Sequence, residues 1–359
     1  MIKLEDNIIN MLHSSRRISF RYDLLDYSEV KIGELTSLGG SLGLNSLAQI
    51  KRQGNFKFKE NELQDVDWLN DKVQPVFILN GKYEFPLGIF MISSPSRGLK
   101  GKSITRNVEC FDTSLVLLED KFDTRYRINS GINYITAISQ LIGSSGLWKI
   151  NIPYIDAVLK TDKEFEIGTS KLEAINYLLQ EINYTSLWVD EQGNFTANPY
   201  VLPTNREVEY IYKNDDMSII IPDTSIEEID LFNVANKWVV VATNPETEPL
   251  VSRYTNENGA SPTSTINRRR TIVDYREVDD IASKSILDEY VRRIAYETSN
   301  VYGKFVFDTA IMPHHTYMDS LFCEHTDLGI KNKYIETSWE MELKADGKMK
   351  HNCRRVINI

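Results

Sequence analysis

The chain has 359 residues, 42% of them hydrophobic and 26% charged, and a formal net charge of −10. That length sets an expectation of about two or three domains, and the composition is that of a folded protein rather than a disordered one. The acidic balance argues against a phosphate-gripping surface, because nucleic-acid affinity rests largely on Lys and Arg neutralising phosphates.

The N-terminus carries Glu5 and Asp6 where a secretory leader would be basic and then apolar, and no run approaches the roughly 20 apolar residues that span a bilayer. A chain made in its producer's cytosol, with no membrane binding of its own, is the expectation. Arg17 to Tyr22 and Glu29 to Leu35 alternate apolar with polar residues, the period of half-buried strands. Gly39, Gly40, Gly43 and Asn45 then interrupt the pattern and are expected to turn the chain, before Phe56 to Lys59 resumes it. Val76 to Leu79 and Tyr83 to Phe85 flank Asn80-Gly81, a pair that accepts positive φ at both centres of a type I′ turn, so a hairpin is predicted. Leu87 to Ile92 follows Pro86 and alternates little, which predicts a strand covered on both faces. Lys102 to Phe111 alternates again and completes a first β-barrel domain over residues 1–112.

Beyond it the period changes. Ile132, Ile135, Ile138, Leu141 and Ile142 recur at helical spacing. Ser170-Lys171-Leu172-Glu173 is a capping box for a second helix with Leu172, Ile175, Leu178, Leu179 and Ile182 on one face. Ser186 to Val189 and Asn194 to Ala197 flank a turn, and this helix-and-hairpin module forms an α+β insert over 113–204.

Strands return at Glu207 to Tyr212, Ser218 to Ile221 and Lys237 to Ala242. Residues 244–267, rich in Pro, Thr, Ser, Asn and Gly, predict a long exposed loop, mobile or in contact with a partner. A helix is predicted over 279–298, capped by Asp279-Asp280, with Leu287, Val291 and Ile294 on its apolar face. Thr337 to Leu343 sets Trp339, Met341 and Leu343 against Ser338, Glu340 and Glu342, and Asp346-Gly347 turns the chain into Met349 to Ile357. Residues 205–359 therefore read as a second β-barrel domain with one helix and a long loop. The predicted fold class is mainly β, two barrels bracketing an α+β insert.

Chemical signatures are sparse. Gly39, Gly40 and Gly43 lack the lysine-serine pair and following helix of a phosphate loop. Asp65, Asp67 and Asp71 could supply an acid/base pair, but solvated loop acids are the preferred reading. His314, His315, Asp319, Cys323 and His325 are the candidate metal ligands, since imidazole, carboxylate and thiolate suit zinc. Their spacing fits neither a zinc finger nor H-E-x-x-H, and alternation across strands lets only a subset converge, so a structural role is preferred. Arg268, Arg269 and Arg270 are candidate contacts to an acidic partner or a phosphate, with a solvated strand entry as the alternative. Cys110, Cys323 and Cys353, an odd number without close spacing, are expected to be reduced thiols. No catalytic residue, cofactor or metal is assigned.

Trp68 to Pro75 (WLNDKVQP) and Glu84 to Pro95 (EFPLGIFMISSP) resemble the first barrel of phage tail baseplate hub proteins. Asp327 to Ile330, Trp339 to Leu343, the Asp346-Gly-Lys-Met turn and Arg354-Arg355-Val356 resemble the end of the hub's second barrel, so the likeness covers nearly the whole chain. Hubs of this kind serve contractile tails and phage-derived bacteriocins. The resemblance implies a structural protein of the virion tail baseplate, not an enzyme. It further implies a homotrimer whose two tail-tube-like barrels per chain make a pseudo-sixfold ring. That ring would adapt a hexameric tail tube or tube-initiator protein to a central spike, among other baseplate proteins, with DNA only passing through the lumen. A host-binding tail-tip protein of a non-contractile phage, a tail-associated cell-wall hydrolase and a zinc enzyme built around His314 are the alternatives.

Overall fold

A computed structural model describes residues 1–60, 66–101, 103–215, 218–229, 234–243, 248–278, 281, 283–299, 303–357 and 359. Asp65 and the Asp279-Asp280 cap lie outside the described residues.

The first β body holds α1 (Asp6–His13), β1 (Ile18–Leu25), β2 (Lys31–Glu34), β3 (Thr36–Asn45), β4 (Arg52–Lys59), β5 (Lys72–Leu79), β6 (Tyr83–Pro86), β7 (Phe90–Lys100) and β8 (Ser103–Asp112). Asn80 (φ 54°) and Gly81 (φ 69°) make the predicted turn between β5 and β6, with Leu79 paired to Tyr83. The glycine stretch, expected as a turn, is strand β3, with Leu42 and Leu44 buried. Glycine gives no face to a period of two, which hid the strand; what it permits is close approach. A Cβ on Gly40 would stand 2.5 Å from the Asn55 carbonyl, and one on Gly43 would stand 3.0 Å from that of Trp339. The strand expected from Leu87 starts only at Phe90; Leu87 and Ile89 are buried in the connection before it.

The insert holds α2 (Ser114–Glu119), β9 (Tyr126–Ile128), α3 (Tyr134–Ser144), β10 (Ile150–Asn151), β11 (Lys163–Phe165), α4 (Lys171–Glu181), β12 (Trp188–Val189) and β13 (Phe195–Thr196) around its own core. The Ser170 hydroxyl accepts from the Glu173 amide at 3.1 Å, as the capping motif predicts.

The remaining elements are β14 (Tyr210–Lys213), β15 (Ile226–Ile229), β16 (Lys237–Ala242), β17 (Leu250–Thr255), α5 (Thr265–Arg268), β18 (Val273–Val278), α6 (Lys284–Ser299), β19 (Gly303–Ala310), β20 (Ser320–His325), β21 (Ile330–Glu342) and β22 (Lys348–Arg355). The stretch expected as a long loop contains β17 and α5, so its composition misled. β17 pairs with β16, Val251 opposite Val241, and β18 lies on the other side of β16. Trp238, Val240 and Ala242 on this separate sheet pack against Leu287, Val291 and Ile294 of α6. Ser218 to Ile221, predicted as a strand, makes one isolated bridge, Ile220 to Thr309.

The two β bodies repeat one strand order. The first runs β3-β4-β8-β7-β5-β1, and the second runs β15-β19-β22-β21-β20-β14. Hairpins β7–β8 and β21–β22 each carry a bulge. In strand direction the repeat departs in one place: β1 is antiparallel to β5, whereas β14 is parallel to β20. The β16–β18 sheet and α6 are inserted between β15 and β19, where the first body has only the short β3–β4 connection. Strand β21 joins the bodies. Residues Ile330 to Ile335 pair with β20, and Ser338 to Glu342 pair with β3, which fuses both bodies into one sheet of 14 strands. Trp339, Met341 and Leu343 accordingly share a core with Leu42, Phe56 and Phe90.

Candidate functional site

Several strands of the fused sheet pair on one side only among the described residues, β2, β6, β14 and β15 among them, and β7 is unpaired along part of one edge. β15 pairs with β19 on one side only, and its Ile226 and Ile229 are 56% and 53% exposed. β7 meets β5 only at Phe90 and Met91, so the edge of the following residues that faces away from β8 has no strand beside it; Leu99 there is 75% exposed. An unpaired edge carrying apolar side chains is a template for another strand and a liability on a lone chain.

A buried polar cluster lies where β21 passes from one body to the other. Glu336, at the β21 bulge, accepts from His315 Nδ1 at 2.6 Å and from His351 Nδ1 at 2.5 Å. The opposite ring nitrogens meet the Tyr212 hydroxyl at 2.7 Å and Thr309 Oγ1 at 2.8 Å. Asp319 lies 3.1 Å from His315 Nδ1, accepts from Thr316 and pairs with the Met1 ammonium at 2.7 Å. Burial opposes every charge here, yet Glu336 and Asp319 push the His315 imidazole up to about 9. In return, the two histidines hold Glu336 below the usual carboxylate range, and His315 with the Met1 ammonium does the same for Asp319. Burial wins at His351, whose pKa falls. It wins also at His314, where burial and the neighbouring His315 lower the pKa to about 3. His314 stands edge-on to Tyr210, and neither of its ring nitrogens has a partner among the described residues.

This geometry is that of a hydrogen-bonded network. Two donors bound tetrahedrally to zinc at 2.0–2.1 Å would lie roughly 3.3 Å apart, whereas Glu336 meets the two imidazoles at 2.5 and 2.6 Å and each imidazole spends its other nitrogen on a hydroxyl. Of the five candidate ligands, His314, His315 and Asp319 come together on the segment before β20. Cys323 is buried in the adjoining core, its thiol pushed up by desolvation, and His325 is half-buried beside Asn214. Glu336 and His351 were missed because they lie on strands remote in sequence. The one signal was His351 itself, a polar residue on the inward face between Met349 and Cys353.

Asp67 accepts from the Leu69 amide at 3.1 Å and Asn70 Nδ2 at 2.7 Å, and Asp71 accepts from the Asp67 amide at 2.9 Å, so these acids hold a turn. The three arginines diverge: Arg268 donates to the Val234 carbonyl at 2.7 Å, while Arg269, in the left-handed region, and Arg270 are exposed. The insert is tied to the first body by Arg52, whose guanidinium meets Glu191 at 2.6 Å and the Leu87 carbonyl at 2.7 Å, all buried. Tyr317, just before β20, stacks on Trp188 of the insert at 5.2 Å.

No protein-family model and no curated protein matches the sequence. In structure, a tail protein from Neisseria meningitidis MC58 aligns over 94% of this chain and 96% of its own length, with a TM-score of 0.67 and 9% identity. The 43 kDa tail protein of prophage MuSo2 from Shewanella oneidensis aligns over 93% and 98%, with a TM-score of 0.67 and 10% identity. The c3393 protein of E. coli, a type VI secretion component described as similar to the bacteriophage T4 tail proteins gp27 and gp5, aligns over 90% and 74%, with a TM-score of 0.52 and 8% identity. At these identities the likeness is one of fold, a fold this chain shares with phage tail proteins and a type VI secretion component.

Proposed function

We propose that this chain is a structural hub of a phage or phage-like tail baseplate, a homotrimer that forms a ring between a hexameric tail tube and a central spike. The observation that carries the proposal is the repeated strand order of the two bodies, fused edge to edge through β3 and β21. Three copies of a chain with two similar bodies present six similar positions, which is what a sixfold tube requires of a threefold adaptor. The tail and secretion proteins that share the fold support a structural role. So does the acid–imidazole cluster, whose side chains are closed to solvent and hydrogen-bonded to one another. Its place in the virion would be the tail baseplate, with tube, spike and neighbouring baseplate proteins as partners and DNA passing through the lumen. Imaging of tail particles that carry the chain tests this: three copies on the tail axis are expected, and density off the axis or another copy number refutes it.

A further inference from the structure

Within the chain, the edge of β3 in the first body is taken by β21 of the second, with Ser41, Leu42, Gly43 and Leu44 opposite Glu342, Met341, Glu340 and Trp339. In the shared strand order β15 holds the place of β3, and β7 holds the place of β21. Among the described residues β15 has an unpaired edge, and so does β7 beyond Met91, so the two places that correspond to the inner junction are both open. We propose that β15 of one copy pairs antiparallel with β7 of the next, repeating between chains the junction that β3 and β21 make inside one. The inference rests on the ring proposed above and names the surfaces that would close it.

The register follows from the ladders. Cys110 on β8 and Cys353 on β22 are fully buried at corresponding places; Gly54 pairs with the first and Phe305 with the second. Leu42 lies across from Gly54, and Glu227 lies across from Phe305, so Glu227 corresponds to Leu42. The partner of Leu42 is Met341, which pairs with Met349 on β22. Counting the same distance back from Cys110 leads to Arg106, which pairs with Arg97 on β7. Glu227 therefore falls opposite Arg97 of the next copy, and Ile226 falls opposite Gly98.

Charge agrees with this register. Arg97 and Arg106 share one carboxylate, Glu60, at 2.7 and 3.1 Å, which leaves a positive surplus there among the described residues. On β15, Glu228 meets Lys304, whereas Glu227 has no ion-pair partner among the described residues. Opposite charges directly across a ladder favour pairing. The same pairing would cover Ile226, Ile229 and Leu99, whose exposure the lone chain does not account for. Pro95 falls in the β7 bulge, between Ser93 and Ser96, where the ladder to β8 is already interrupted.

Directly opposed residues of an antiparallel pair have Cα atoms about 4.5–5.5 Å apart, within the span a disulfide bridges. A chain carrying both Glu227→Cys and Arg97→Cys, concentrated to about 1 mM, a level that captures even weak association, should oxidise to linked dimers and trimers. Either single variant should not. In a sedimentation assay Glu227→Arg alone should weaken association about tenfold, and Arg97→Glu in the same chain should restore it. A trimer that forms without this cross-link overturns the pairing and leaves the hub proposal standing. Dimers linked through Glu227→Cys alone, which would mean β15 against β15, overturn it as well. So does a chain that stays monomeric at that concentration, whereas imaging of tails decides the hub proposal separately.

Discussion

His314 is a group whose protonation the fold opposes strongly. The residue is 2% exposed, neither ring nitrogen has a partner among the described residues, and burial beside His315 holds its pKa at about 3. An unfolded histidine titrates near 6.5, so between those values the unfolded chain binds a proton that the folded chain refuses. The stability contributed by neutral His314 is therefore complete above that unfolded value and lost as pH falls towards the folded one, at about 1.4 kcal/mol per unit. By pH 4.5 the loss is about 2.7 kcal/mol. His351, lowered too, adds to the slope in the same direction. His315 works in another window: its raised pKa makes its contribution complete below 6.5 and lost as pH rises through about 9. Asp319 and Glu336, both depressed, lose theirs only as pH falls below the ordinary carboxylate range. His314→Phe keeps a ring against Tyr210 and removes the proton site. Urea unfolding of both proteins at pH 7.5 and 4.5 should show the variant gaining about 2.7 kcal/mol relative to the native chain across that interval. Parallel pH profiles would refute the reasoning.

Gly81→Val should destabilise the first body by about 1 kcal/mol or more, because a β-branched residue resists the positive φ the turn requires; an unchanged melting midpoint would contradict it. Trp339→Ala removes a side chain buried between the two bodies, with its indole nitrogen bonded to the Thr316 carbonyl at 3.0 Å, and should cost about 3–5 kcal/mol in chemical unfolding. Arg52→Ala strands the buried Glu191 carboxylate and should cost a similar 3–5 kcal/mol, whereas Glu191→Gln, which keeps a hydrogen-bond acceptor, should cost less. Equal losses for those two variants would remove the ion pair as the cause.

Local chemistry made some of this legible in the sequence. Asn80-Gly81 specifies its turn through backbone sterics, Ser170 and Glu173 specify a helix start, and Trp339, Met341 and Leu343 reveal a half-buried strand by their period, each within a window of a few residues. The order of β body, insert and β body was readable for the same reason. What the sequence left open depended on neighbours far away in the chain. Gly40 and Gly43 looked like breakers because their use, admitting the Asn55 and Trp339 carbonyls, appears only once β4 and β21 lie alongside. β17 was hidden because Leu250, Val251, Tyr254 and Thr255, strand formers themselves, sit inside a longer stretch whose average composition is that of a loop, and only the pairing with β16 marks them out. Of the candidate ligands, His315 and Asp319 lie in one cluster, but its central carboxylate and second imidazole, Glu336 and His351, arrive from β21 and β22, and burial then decides which of these groups carries charge. A one-dimensional pattern fixes which face of a strand is apolar; which strand lies beside it, and hence which edges remain for another copy, is settled only when the sheet closes.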